Sequence, residues 1–237
     1  MHILIVGATR KEIEPLVARL NQEQHIIPSR LTRYSFLNHS VDVLITGVGL
    51  MPTAFWLGKI LSNGNYDFAI NIGLAGSFSN ELTLGEVVNV TEDYLIELGA
   101  ENDAQFIPID VLKLIESNDF PYTAQGVKST YDFENPALTN IKKVNGITVN
   151  KVHGSTNSIH RDMALYHSVH GKPVVTESME GAAFLFACIQ EKVPCVQLRA
   201  ISNYVEKRNM ENWSLDVAIK NSCDKVIEVM GSYADEN

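Results

Sequence analysis

Four side chains stand where chemistry is possible. Glu12 lies a turn or two past the apolar run Ile3 to Val6, near the start of a helical pattern. Glu180 sits in "TESMEGAAF", between a short strand and an apolar helix. Arg199 and Asn203 sit in "RAISN", at the end of the apolar run that begins at Val193. A carboxylate near a helix N-terminus ordinarily complements the helix dipole, and by spacing alone that role fits Glu12. Glu180 is harder to explain so simply. A carboxylate between Met179 and Gly181, in an apolar setting, must be solvated, paired or used, with helix capping as the competing role. A lone amide after a buried strand raises its own question, what Asn203 holds. A turn residue bonding its own backbone is the plain answer.

These residues must be positioned by strands and helices that alternate. Apolar runs at Ile3–Val6, Val41–Thr46, Phe68–Ile72, Glu86–Val90, Ile147–Val152, Val174–Val175 and Cys195–Ile201 read as strands. Helical spacing follows at Lys11–Leu20, from Pro52, at Gly181–Lys192 and at Trp213–Met230. Residues 92–135 are polar, with weaker signals. The alternation predicts an α/β fold, one domain over residues 1–237, with a mixed, largely parallel central sheet flanked by helices. Ligands of such sheets sit outside the carboxyl ends of the strands. That rule selects 7–12, 47–51, 73–77, 153–158, 177–180 and 199–203.

Composition excludes several functions. The chain has 237 residues, 45% hydrophobic and 20% charged, as an ordinary globular protein does. A net charge of -9 argues against a general nucleic-acid binder. No run is long enough for a membrane span or a signal segment, so a cytoplasmic protein with no membrane partner is expected. The 3 cysteines, Cys188, Cys195 and Cys223, form no CxxC pair and read as buried reduced thiols. "GVGLMP" at 47–52 has Pro52 in place of the third glycine of a dinucleotide site. There is no Walker sequence and no GxSxG elbow. His160, His167 and His170 form no metal-ligand set and read as scattered surface histidines.

Taken in order, "IVGATRKEIEPL", "INIGLAGSF", "LGEVVNV", "TESMEGAAFLFAC" and "VPCVQLRAISN" resemble the purine nucleoside phosphorylase and nucleosidase superfamily over nearly the whole chain. The combination of SMEGAA with RAIS is specific; one glycine motif alone is not. Within the superfamily the sequence looks most like the futalosine hydrolases, with methylthioadenosine and adenosylhomocysteine nucleosidases as cousins. The resemblance implies hydrolysis of the N-glycosidic bond of futalosine, releasing hypoxanthine in a menaquinone pathway, with no metal and no cofactor. The partner implied is a small-molecule nucleoside, and a homo-oligomer is the expected assembly.

The resemblance also assigns roles. Glu12 matches the glutamate that positions the attacking water. Met179 and Glu180 match the pair beneath the ribose, Glu180 accepting from its 2′- and 3′-hydroxyls. Gly73, Ala75 and Gly76 belong to the glycine-rich turn flanking the site, and Arg199 matches an arginine near the final strand. Asn203 falls where adenine-specific relatives carry aspartate. An amide offers a donor and an acceptor without changing protonation, which suits a 6-oxopurine better than a 6-aminopurine. Asn157 and Ser158 stand where those relatives place a phenylalanine and an isoleucine around the base. Lys207 and Arg208 are candidates for a distal carboxylate of the substrate, with solvated loop charges as the competing assignment. A phosphorylase is the same-fold alternative, with Arg10 beside Glu12 as its cation. A nucleoside-binding protein without turnover is the alternative of another class.

Overall fold

The computed structural model describes residues 1–103, 105–116, 119–123 and 126–234. The N-terminal apolar run forms β1 (His2–Gly7), followed by α1 (Arg10–Val17). β2 (Asn21–Ile27) and β3 (Leu31–Phe36) pair antiparallel. β2 is exposed along nearly all of its length, so it carries no alternating apolar face to announce it. β4 (His39–Ile45), α2 (Leu50–Leu61) and β5 (Phe68–Ser77) complete the first half.

The second half opens with β6 (Val87–Tyr94). In the polar stretch after it, β7 (Gly99–Asn102) pairs with β8 (Gln105–Pro108), and β9 (Tyr122–Thr123) pairs with β10 (Gly126–Lys128). Residues 104, 117, 118, 124 and 125 of that stretch lie outside the described residues. Then come α3 (Pro136–Thr139), β11 (Lys143–Thr148), α4 (Thr156–His170), β12 (Thr176–Ser178), α5 (Gly181–Gln190), β13 (Cys195–Tyr204) and α6 (Leu215–Ala234). The fold is the expected mixed α/β arrangement, a central sheet flanked by helices.

The main sheet runs β2-β3-β4-β1-β5-β12-β11-β6-β10-β9, and β13 pairs with both β5 and β6. The pairs β4–β1, β1–β5 and β5–β13 are parallel. Because β13 joins β5 to β6, the strands β5, β12, β11, β6 and β13 close into a ring. Closure removes the free edges that these strands would otherwise expose.

The unbroken apolar runs reflect burial on both faces. Ile3 and Ile5 of β1 point into a core with Ile13, Leu16, Cys223 and Val226 of α1 and α6. Leu4 and Val6 point the other way, into a core with Leu57, Leu61, Phe184 and Cys188 of α2 and α5. The cysteines are free and buried, as expected. No described helix is long and apolar enough to cross a membrane.

Candidate active site

Glu12 sits in the first turn of α1, in a capping box with Thr9. Its Oε2 accepts from the Thr9 backbone N–H at 2.8 Å and from the Thr9 hydroxyl at 2.7 Å. The capping role is therefore real, and it occupies one carboxylate oxygen. Oε1 faces inward: a Cβ added at Gly73 would lie 3.4 Å from it and 2.3 Å from Arg199 Nη1. Gly73 is thus glycine because a guanidinium and a carboxylate close over its backbone. Burial pushes the Glu12 carboxyl up, against the lowering influence of the Thr9 bonds and Arg199, while Glu180 raises it further.

Arg199 lies directly opposite Gly73 in the β13–β5 ladder and is only 1% exposed. Its Nη2 donates to Asn71 Oδ1 at 2.6 Å, and its Nη1 lies 3.5 Å from Glu180 Oε2. Its Nε has no hydrogen-bond partner among the described residues. Asn71 is anchored in turn by donating to the Val6 carbonyl at 2.9 Å. A lone amide inside the apolar run "FAINIG" was the signal that could have revealed it.

Glu180 is buried and occupies the N-cap position of α5, yet its side chain makes no capping bond. Oε1 instead accepts from the Gly49 N–H at 3.0 Å. Gly47 and Gly49 have φ of 94° and 99°, a conformation open to glycine and strained for other residues. "GVGLMP" therefore aims a backbone donor at Glu180. Beneath α5, a Cβ at Gly181 would lie 2.1 Å from both Asp93 Oδ2 and Gln197 Nε2. Asp93 accepts from Thr148 Oγ1 at 2.6 Å and from Gln197 Nε2 at 3.0 Å, and burial raises its carboxyl. Thr148 Oγ1 accepts from the Ala182 N–H at 2.8 Å, tying this buried network to the start of α5. Gln197, a lone amide inside the apolar run "VPCVQL", carried a signal in the sequence, whereas Asp93 ends the polar triplet after Val90 and Thr148 ends its strand, and neither stands out.

Asn203 lies within β13, which runs past Ile201 because Asn203 and Tyr204 pair with Gly76 and Ser77 beyond a bulge. Its amide is half-buried. Oδ1 accepts from Ser202 Oγ at 2.8 Å, and Nδ2 donates to the Tyr204 carbonyl at 3.0 Å. An amide has two donor hydrogens and two acceptor lone pairs, so one of each remains for a ligand. A Cβ at Gly76 would lie 3.3 Å from this Nδ2, which brings the glycine-rich turn against it. Ala75 is buried and Met179 is half-buried next to Glu180.

Other candidates lie further out. Arg208 is exposed, with its guanidinium 4.9 Å from the centre of the Trp213 ring. Lys207 is exposed. Asn157 is exposed in the first turn of α4, and Ser158 Oγ donates back to the Ser155 carbonyl at 3.0 Å. His160, His167 and His170 all lie on α4, a helix whose buried residue is Tyr166 alone. His170 packs against Tyr94 and Tyr166.

Comparison with known proteins places the chain in a family. The phosphorylase superfamily pattern matches residues 2–235. The chain belongs to the phosphorylase superfamily. Among superfamily relatives, 5′-methylthioadenosine/S-adenosylhomocysteine nucleosidases from a Geobacillus strain and from Bacillus velezensis are similar to it. The first is 25% identical, covering 98% of this chain and 99% of the relative. The second is 26% identical, covering 97% and 98%. In fold, the Streptococcus pneumoniae nucleosidase in complex with 8-aminoadenine superposes with a TM-score of 0.80, at 18% identity over 98% of this chain and 100% of that one. Futalosine hydrolase of Helicobacter pylori superposes with a TM-score of 0.74, at 17% identity over 100% of this chain and 98% of that one.

Proposed function

We propose that this protein is an N-ribosyl hydrolase that cleaves futalosine to hypoxanthine and dehypoxanthine futalosine, in menaquinone biosynthesis. The observation that carries the hydrolase reading is the convergence of Glu12 and Glu180 on one buried arginine at the Arg199–Gly73 pair, midway along β13 and β5. Glu180 holds the ribose 2′- and 3′-hydroxyls, its remaining lone pairs serving as acceptors. The Oε1 edge of Glu12 orients water toward C1′. The glycosidic bond breaks as positive charge develops on the sugar, and the purine leaves with the bonding electrons. Glu12 takes a proton from the attacking water, and hypoxanthine gains one, so the net reaction consumes only water. Positioning and electrostatic stabilisation supply the acceleration.

The free donor and acceptor of Asn203 can serve O6 and N1–H of a 6-oxopurine, and equally N7 and N6–H of a 6-aminopurine, so the choice of hypoxanthine rests on the amide standing where adenine-specific relatives carry aspartate. A methylthioadenosine/adenosylhomocysteine nucleosidase is the second reading, supported by the names of the curated relatives. One assay separates the readings: futalosine, inosine and methylthioadenosine, each with and without phosphate, followed for free base and sugar. Release of hypoxanthine from futalosine, independent of phosphate, is the expected result. Turnover of methylthioadenosine alone would replace the substrate, and phosphate-dependent turnover would replace hydrolysis with phosphorolysis.

A further inference from the structure

His153 follows β11 and has no role in the site described above, yet its side chain is only 4% exposed. Its Nδ1 contacts Glu177 Oε2, and its Nε2 lies 3.0 Å from Asp162 Oδ2. The His153 backbone N–H also donates to Glu177 Oε1 at 3.1 Å. Ionised carboxylates are acceptor-only, so satisfying both ring nitrogens requires both to donate, which makes the ring an imidazolium. The two carboxylates are bonded through different ring nitrogens, on opposite sides of the ring, and do not converge on one point as metal ligands would.

The two partners belong to different parts of the fold. Glu177 is in β12 and pairs directly with Gly76, whose other ladder partner is Asn203. Residues directly opposed in a ladder present their side chains to the same face. Asp162 is on α4, two turns in, and is held by Arg161 Nε at 2.6 Å. The loop between, at Gly154, packs against Arg208, a Cβ there lying 3.7 Å from Arg208 Cβ. α4 fully buries only Tyr166, with Met163 partly buried beside it, so a small apolar contact secures the helix.

We infer that His153 is a positioning residue: clamped between Glu177 and Asp162, it latches the start of α4 against the sheet beside Asn203, where it forms a wall of the base pocket. The base-pocket half of this inference rests on the nucleosidase reading; the latch does not. The charged groups facing the ring are Glu177 from β12 and Asp162 from α4, the latter shared with Arg161, and the third neighbour is the uncharged Phe78 ring at 5.9 Å. The Glu177 bond, then the Asp162 bond, hold the imidazolium above its ordinary range despite burial. A raised histidine stabilises the latch fully below the unfolded value of about 6.5 and loses that contribution as pH rises through the folded value.

The test combines protection factors of the α4 amides, from hydrogen exchange, with the pH dependence of KM and kcat for a purine nucleoside. The wild type is compared with His153→Gln and with Asp162→Asn, which removes the α4 charge alone. The expected result is a loss of α4 protection in both variants and, in the wild type, as pH rises past the histidine transition. KM should rise about tenfold, the scale of one lost charge-assisted hydrogen bond, with a smaller change in kcat. His153→Gln should also flatten the alkaline limb of KM. Unchanged α4 protection in Asp162→Asn and across the wild-type transition would overturn the latch. Lost protection with an unaltered KM would overturn the pocket wall. A wild type that turns over no nucleoside would refute the nucleosidase reading, while the protection factors would still decide the latch.

Discussion

At the scale of single residues, a single substitution separates the observed capping role of Glu12 from the proposed one of orienting water. Glutamine completes a capping box as well as glutamate does, so Glu12→Gln should leave stability nearly unchanged. It cannot take a proton from water, so kcat should fall by about a hundred- to ten-thousand-fold. Denaturant unfolding beside steady-state kinetics checks both halves, and a stable variant with normal kcat would leave Glu12 as a cap only. Because burial raises the Glu12 carboxyl, the acid limb of kcat/KM should lie above the ordinary glutamate value of about 4.3, activity falling as pH drops through it. Asn203 offers a sharper test. In Asn203→Asp an ionised carboxylate gives N7 no donor and faces O6 with negative charge. The preference for futalosine over its 6-amino analogue should fall by about ten- to a hundredfold, the value of one hydrogen bond with its partner left unpaired. Equal specificity constants ratios in the two proteins would remove the physical support for hypoxanthine.

At the scale of elements, the start of α5 shows a sequence preference reversed by packing. Replacing a helical glycine with alanine ordinarily stabilises by about 1 kcal/mol. Gly181→Ala should instead destabilise by about 1–3 kcal/mol, because its methyl group meets the buried Asp93 and Gln197 side chains. The shift in denaturation midpoint measures this; a stabilised variant would mean that the network yields easily. The motif "SMEGAA" was legible as a strand-to-helix junction, but the reason for its glycine was not, since Asp93 and Gln197 come from β6 and β13. α4 was missed for a different reason. Its inward stripe, Ile159, Met163 and Tyr166, is short and only Tyr166 is fully buried, so the helical signal is weak and its histidines read as scattered.

At the scale of the molecule, a second polar network holds the sheet on the side of β1, β3 and β4. Asp42 is 1% exposed and accepts from Arg33 Nε at 2.7 Å, Arg33 Nη2 at 2.8 Å and the Tyr66 hydroxyl at 2.9 Å, with His2 Nε2 at 3.1 Å. It joins β1, β3 and β4 to the segment before β5. Burial pushes its carboxyl up, but the bonds from Arg33, Tyr66 and His2 outweigh that and leave it below the usual range. A depressed carboxyl stabilises the fold above the unfolded value of about 3.9 and loses that contribution as pH falls through the folded value. Asp42→Asn should cost about 3 kcal/mol near neutral pH, the lower end for a broken buried pair because Arg33 can reach water. The gap from wild type should narrow under acid conditions; a constant gap in unfolding free energy from pH 7 to pH 2 would contradict this account.

Local pattern alone determined the α/β class and the main strands, although β5 and β13 run on to Ser77 and Tyr204, past the ends at Ile72 and Ile201 that the pattern marked; the roles of Glu12, Gly73, Glu180, Arg199 and Asn203 came from the family resemblance. The class and the strands follow from burial period and chain direction, which neighbouring residues set. Tertiary structure alone decided that Arg199 would pass over Gly73 to meet Glu180, that Gly49 would aim its N–H at the same carboxylate, and that β13 would close β5, β12, β11 and β6 into a ring. It also decided that His153 would sit between Glu177 and Asp162. Each of these depends on the register between segments far apart in the chain. A slip of one residue would turn every such side chain to the opposite face, and only the packing of the whole molecule selects the register.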